Sequence, residues 1–142
     1  MTLPAVTWPD LELVLVDYLS TALTAYGADE AYPEAVDVRV SIVAPNPRTD
    51  RMVIIRRDAG RRVDAVRERA RFGVQVWAST FGECVALTNL VRALIGAMPD
   101  GAPVLSAGEV MAPVPVDDES GQPMRFGTFE LTARGADLVP PN

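Results

Sequence analysis

Arginine carries most of the chemistry this chain has to offer. From Arg51 to Thr80 it reads RMVIIRRDAGRRVDAVRERARFGVQVWAST, with eight arginines in thirty residues, and no lysine occurs anywhere in the 142 residues. A guanidinium is planar, permanently charged and able to bind carboxylate or phosphate bidentately. Such a block can grip a nucleic-acid backbone, grip an acidic protein surface, or keep a strand solvated. Nucleic-acid readers interleave aromatics with their basic residues or present them from one helix. Here Phe72 is the adjoining aromatic, and Asp58, Asp64 and Glu68 are mixed in.

The other chemistry-bearing residues are sparse. The chain has no histidine, so the commonest general base and metal imidazole are missing, and without lysine there is no Schiff-base amine. The one cysteine, Cys84, falls on an apolar stripe, where a free thiol packs as a small hydrophobe. Its place in a first helical turn would favour a lowered pKa, but core packing is the stronger reading. Asp117, Asp118 and Glu119 are clustered carboxylates that raise the question of a divalent ion. They lie in a polar stretch with no companion at ligand spacing, and a solvated turn is the simpler account. No nucleophile elbow or phosphate loop is present. The expectation is a protein that is not an enzyme and carries no cofactor or metal.

Charge is partitioned along the chain. Net charge is −6, yet residues 1–38 hold seven acids and no base, residues 39–71 reach a local +6, and residues 72–142 return to −5. Arginine in place of lysine fits a GC-rich coding bias, which accounts for the residue type but not for the clustering. Segregation of this kind suggests two differently charged surfaces that meet in a heterologous, head-to-tail contact. On that reading Arg56, Arg57, Arg61, Arg62, Arg67, Arg69 and Arg71, together with Asp117, Asp118 and Glu119, are the candidate interface residues. The arginines would pair with carboxylates of a neighbouring subunit or of a partner protein, a solvated face being the alternative.

The elements that position these residues follow from periodicity. Leu11, Val14, Leu15, Tyr18, Leu19, Ala22 and Leu23 form a helical stripe, with Thr7 and Asp10 as capping box and Gly27 as stop. Val36, Val38, Val40 and Ile42 alternate with polar residues as in a strand, and the turn-rich 45–50 segment leads to a second strand over Arg51–Arg57. These two are expected to pair as an antiparallel hairpin. The 58–69 stretch has too few apolar positions to separate a short helical turn from an extended connection. Phe72, Val74 and Val76 mark a third strand, on which Trp77 is either an interface anchor or core against the next helix. That helix starts at Thr80 with Glu83, carries Cys84, Leu87, Thr88, Val91, Leu94, Ile95 and Met98, and stops at the PDG of 99–101. Two more strands lie within 102–116 and 125–134, separated by the 117–123 loop. The fold class is α+β: two amphipathic helices on one mostly antiparallel sheet of four to five strands. Residues 1–134 form a single domain and 135–142 a loosely ordered tail. No apolar run approaches a membrane span, and the first residues lack the basic start and apolar stretch of a signal peptide.

Three further stretches carry a resemblance. The run VIIRRDAGRRVDAVRERARFGVQVWA, the helix VALTNLVRALIGAMPDG and the segment PVPVDDESGQPMRFGTFELTARG resemble the small tail terminator proteins of long-tailed phages, especially those of actinobacterial hosts. The likeness runs in order over about residues 36–134. Its most distinctive pieces are Arg-Arg-Asp-Ala-Gly, the strand ending Val-Trp-Ala, and the Asp-x-x-Ser-Gly-Gln-Pro turn. The resemblance implies an α+β subunit that forms a ring, typically a hexamer, capping the tail tube and offering the surface to which the filled head binds. The implied partners are further copies of the chain, a tail tube protein and a head-completion or connector protein. DNA would pass through the ring without sequence-specific binding, and the location would be the head-proximal end of the virion tail, after assembly in the host cytoplasm. Another head–tail connector or tail-completion ring protein has the same texture. A small nucleic-acid-binding adaptor using the arginine block directly is the rival from a different class.

Overall fold

The fold is described by a computed structural model covering residues 5–99, 103–139 and 141. In chain order the elements are β1 (Val6–Thr7), α1 (Leu11–Gly27), a 3-10 turn (Pro33–Ala35), β2 (Arg39–Ser41), β3 (Met52–Arg62), β4 (Arg67–Trp77), α2 (Phe81–Gly96), β5 (Val104–Val116), β6 (Met124–Arg134) and β7 (Ala136–Asp137). The main sheet has five strands in the order β2-β3-β4-β6-β5, and β1 pairs with β7 in a separate two-stranded ladder. Both helices lie on one face of the main sheet, so the architecture is the α+β layer arrangement that the periodicities imply.

The helices form where capping and apolar spacing agree. In α1 the i, i+4 row Leu11, Leu15, Leu19 and Leu23 is fully buried. The cap is Asp10, whose carboxylate accepts from the Leu13 N–H at 3.1 Å. Thr7, expected as the cap, instead lies in β1. Thr80 caps α2 by accepting from the Glu83 N–H at 3.1 Å, as its sequence signature indicates. The Tyr18 hydroxyl donates to the Leu94 carbonyl at 2.6 Å and stitches the two helices together. Beneath them, Val53, Ile55, Phe72, Val74, Val76, Phe129 and Leu131 complete one continuous core.

Three expectations are corrected. β2 pairs with β3 in parallel (Arg39↔Met52, Val40↔Val53, Ser41↔Ile54), not as an antiparallel hairpin. β2 is only three residues long: Asp37 has φ 54°, which breaks the extended run, and Val36 and Ile42 are left exposed. The 58–69 stretch is no connection. It belongs to a long β3–β4 hairpin whose pairing continues to Arg62↔Glu68, with Asp58 bulged out between Arg57 and Ala59. The segment expected as a loose tail begins with β7, whose Ala136 and Asp137 pair with Thr7 and Val6.

Candidate functional site

The alternation of side chains along a strand sorts the arginine block onto two faces. On β4, Ala70, Phe72 and Val74 enter the core under the helices, so Arg67, Arg69 and Arg71 stand on the opposite, bare face. On β3, Ile54 belongs to the small cluster on that bare face, and Arg56 shares its side. The Asp58 bulge restores phase so that Ala59 and Arg61 also look outward, opposite Arg71 and Arg69. Arg57 and Arg62 alternate to the helix side. There Arg57 pairs with the nearly buried Glu68 at 3.0 Å, and Arg62 stacks over the Trp8 ring at 5.1 Å.

The cross-strand register gives the bare face an unusual electrostatic character. Arg61 lies directly opposite Arg69, and Arg67 directly opposite Arg134. Like charges facing each other across strands are destabilising. Counter-charge comes from three acids: Glu130 approaches Arg69 at 3.3 Å and Arg71 at 3.9 Å, Asp64 in the hairpin turn pairs with Arg67, and the bulged Asp58 lays its carboxylate over Gly73. The Arg67 guanidinium and backbone hydrogen bonds from Val66 and Arg67 hold the Asp64 carboxyl below its ordinary pKa. Arg56, Arg61 and Arg134 have no carboxylate within ion-pair distance among the described residues. Arg69 Nε is buried without a well-aligned hydrogen bond, although Glu130 Oε1 lies near it. Ala59 and Gly60 leave an open depression of about 170 Å3 between Arg61, Arg69, Arg71 and Glu130. A planar anion on an extended partner could enter it and bridge guanidinium groups that now repel one another.

The acidic candidates lie elsewhere. Asp117, Asp118 and Glu119 follow β5 beside the Trp77 end of β4, whereas the arginines crowd its Arg67 end; eleven extended residues span about 33 Å. Asp118 binds the Ser120 hydroxyl and N–H and lies 3.4 Å from Arg48, contacts that hold its carboxyl below the usual range. Gln122 donates to the Asp50 carbonyl at 2.9 Å, so this turn is pinned against the 45–51 loop. Asp117 and Glu119 are exposed and take no part in the arginine face. The acid-rich N-terminal segment lies on the opposite face, since α1 and the 3-10 turn pack on the helix side of the sheet, where Glu12 accepts from the Arg57 N–H at 3.4 Å.

The remaining candidates are structural. Cys84 is buried, its thiol 3.4 Å from the Val76 carbonyl, and burial pushes its pKa up rather than down. Trp77 is buried too, but on the sheet face away from the helices, in a small covered cluster with Met52, Ile54 and Met124 rather than against α2, and the Arg48 guanidinium lies 5.0 Å from its ring centroid. Among the described residues no group of three or more His, Cys, Asp or Glu side chains converges as a metal site would require. No described helix is long and apolar enough to cross a membrane.

The members that composition alone did not single out are Arg134 and Glu130. A signal was present, because Arg67, Arg69 and Arg71 recur every second residue, the period of a strand with one charged face. No known protein-family model matches the chain, and a search of curated proteins found no match either.

Proposed function

We propose that this chain is a structural ring subunit of a long-tailed phage, the tail terminator that caps the tail tube, stops its polymerisation and provides the head-joining surface. The observation that supports this most is the sheet face away from the helices, where arginines oppose arginines across neighbouring strands. A face that stores like-charge repulsion gains from docking an acidic partner more than from solvent. The resemblance over residues 36–134 supplies the biological setting, and the acid-rich α1 segment packs on the helix side of the sheet, opposite the arginine face.

On this reading the subunit assembles with copies of itself into a ring, a hexamer in the resembling proteins. The arginine face meets carboxylates of the tail tube protein or of the head-completion protein, and DNA passes through the ring without being read. Another connector ring of the same tail is the neighbouring alternative. The site of action is the head-proximal end of the virion tail, reached by assembly in the host cytoplasm.

The test is tail-tube polymerisation with purified components. Adding this chain should stop growth, and Arg56→Glu with Arg61→Glu should abolish the arrest while the subunit stays folded. Tubes that grow unchanged with the wild-type chain would overturn the proposal. The density of arginines on one face favours a second reading, direct binding to a nucleic-acid backbone. It is separated by salt: phosphate binding by several arginines loses on the order of 10³-fold or more in affinity between 50 and 200 mM salt.

A further inference from the structure

The β3–β4 hairpin leaves one sheet edge open where the arginines stand. β2 lies beside β3 only from Met52 to Ile54, so between Arg56 and Arg62 the outer edge of β3 has no strand next to it. Every residue of that stretch is exposed. The Val63 N–H donates to the Arg67 carbonyl at 2.8 Å. Antiparallel bonding alternates along a strand, so Gly60 and Arg62 turn their N–H and C=O groups away from β4, toward the open edge. At the near end of this slot, Glu12 accepts from the outward Arg57 N–H at 3.4 Å. Its carboxylate stands where a neighbouring strand would place a carbonyl.

We propose that the open β3 edge receives an extended, acidic segment of a partner protein, which joins the main sheet as an added strand in line with β2. The slot from Asp58 to Arg62 takes about five residues, roughly 16 Å of extended chain. Main-chain bonds to Gly60 and Arg62 supply the binding, and side chains supply the choice of partner. Arg61 projects to the face away from the helices and Arg62 to the helix side, so consecutive acids on the incoming strand meet a guanidinium on each face. Arg56, Arg61 and Arg62 have no carboxylate within ion-pair distance among the described residues. The nearest acids of β3 and β4 are turned elsewhere, Asp58 over Gly73 and Glu68 to Arg57. Bulges and charged side chains protect an edge from indiscriminate pairing. Here they reject a second copy of the same edge, whose arginines would face these, and leave an acid-bearing strand as the fit. The β5 edge of another copy does not serve either. Pro113 and Pro115 have no N–H, and its one acid, Glu109, is already paired with Arg92 at 2.6 Å. This mode rests on the reading of the arginine block as a partner for carboxylates, and it names where and how they dock.

The test pairs the full chain with a blocked, dye-labelled heptapeptide of glutamate, threonine and valine, read by fluorescence polarisation and by amide hydrogen exchange. The acidic peptide should bind, and the same peptide with glutamine for glutamate should bind about tenfold or more weakly. Exchange at the Gly60 and Arg62 amides should slow when the peptide is bound. N-methylation of the alternate peptide nitrogens that face β3 should cost about tenfold or more, whereas methylation of the other set should leave affinity within about twofold. An acidic peptide that binds without slowing those two amides, or equally well with either set methylated, overturns strand addition while the pairing of arginines with carboxylates stands. An acidic peptide that does not bind overturns both. A single-stranded DNA oligonucleotide that protects the same amides where the peptide does not would assign the edge to phosphate and also overturn the proposal.

Discussion

Arg61→Glu should make the isolated subunit more stable while damaging its assembly. The wild-type pair Arg61↔Arg69 places two guanidinium groups directly opposite each other in the β3–β4 ladder, and Glu130 is shared by Arg69 and Arg71. Reversing Arg61 converts a repulsive cross-strand pair into an attractive one. Each such pair is worth roughly 0.2–1 kcal/mol, so removing one and creating the other should stabilise by about 1 kcal/mol in low salt. For a domain of this size that is a rise in Tm of roughly 2–5 °C. Thermal unfolding by circular dichroism at low and high salt is the assay. The difference should shrink in 1 M salt, where the Debye length is only about 3 Å. The same variant should weaken tail-tube arrest, because the stabilised face has lost part of its demand for an acidic partner. A Tm below wild type in low salt, or a gain that salt leaves untouched, would refute the electrostatic reasoning.

Other expectations follow from the core and from titration. Leu15→Ala removes a fully buried side chain from the centre of α1 and should cost roughly 2–5 kcal/mol by denaturant unfolding. Cys84 should resist thiol reagents in the native state and react only on unfolding, because it is buried with a raised pKa. Glu83 has its pKa lowered first by the hydrogen bond from Arg51, a contact that ties the start of β3 to α2. A depressed carboxyl pKa contributes stability that is fully present above the unfolded value and is lost as pH falls through the folded one. Glu83→Gln should therefore lower stability at neutral pH and flatten the acid limb of the stability–pH profile, the difference from wild type closing as pH falls through the folded value.

How far the residues foretold the fold depends on where apolar contrast exists. Leu11–Leu23 and Cys84–Ile95 alternate cleanly between buried and exposed, so both helices could be read with their stripes. Contrast fails in β3 beyond Ile55, where every residue to Arg62 is exposed because no helix covers that end. The hairpin therefore looked like a connection, although the every-second-residue arginines of β4 carried its period. The parallel β2–β3 pair was illegible for a different reason. A three-residue strand after a positive-φ Asp37 leaves too short a pattern to fix direction.

The site was legible as a composition and not as a geometry. Arg56 and Arg57 are neighbours in sequence but stand on opposite faces, one solvated and one paired with Glu68. The acids of 117–119 seemed natural members of the same surface, yet the full length of β4 separates them from the hairpin end. Arg134 reaches the arginine face only through the β4–β6 register, a pairing between distant segments that no local window contains.

The central claim, a structural subunit that closes into a ring, is tested most directly by measuring the mass of the purified chain under native conditions and imaging the same sample by negative stain. The account predicts a closed annulus whose mass is an integral multiple, six in the resembling proteins, of the 15.3 kDa subunit. A monomer that persists at high concentration and beside tail-tube ends would contradict it.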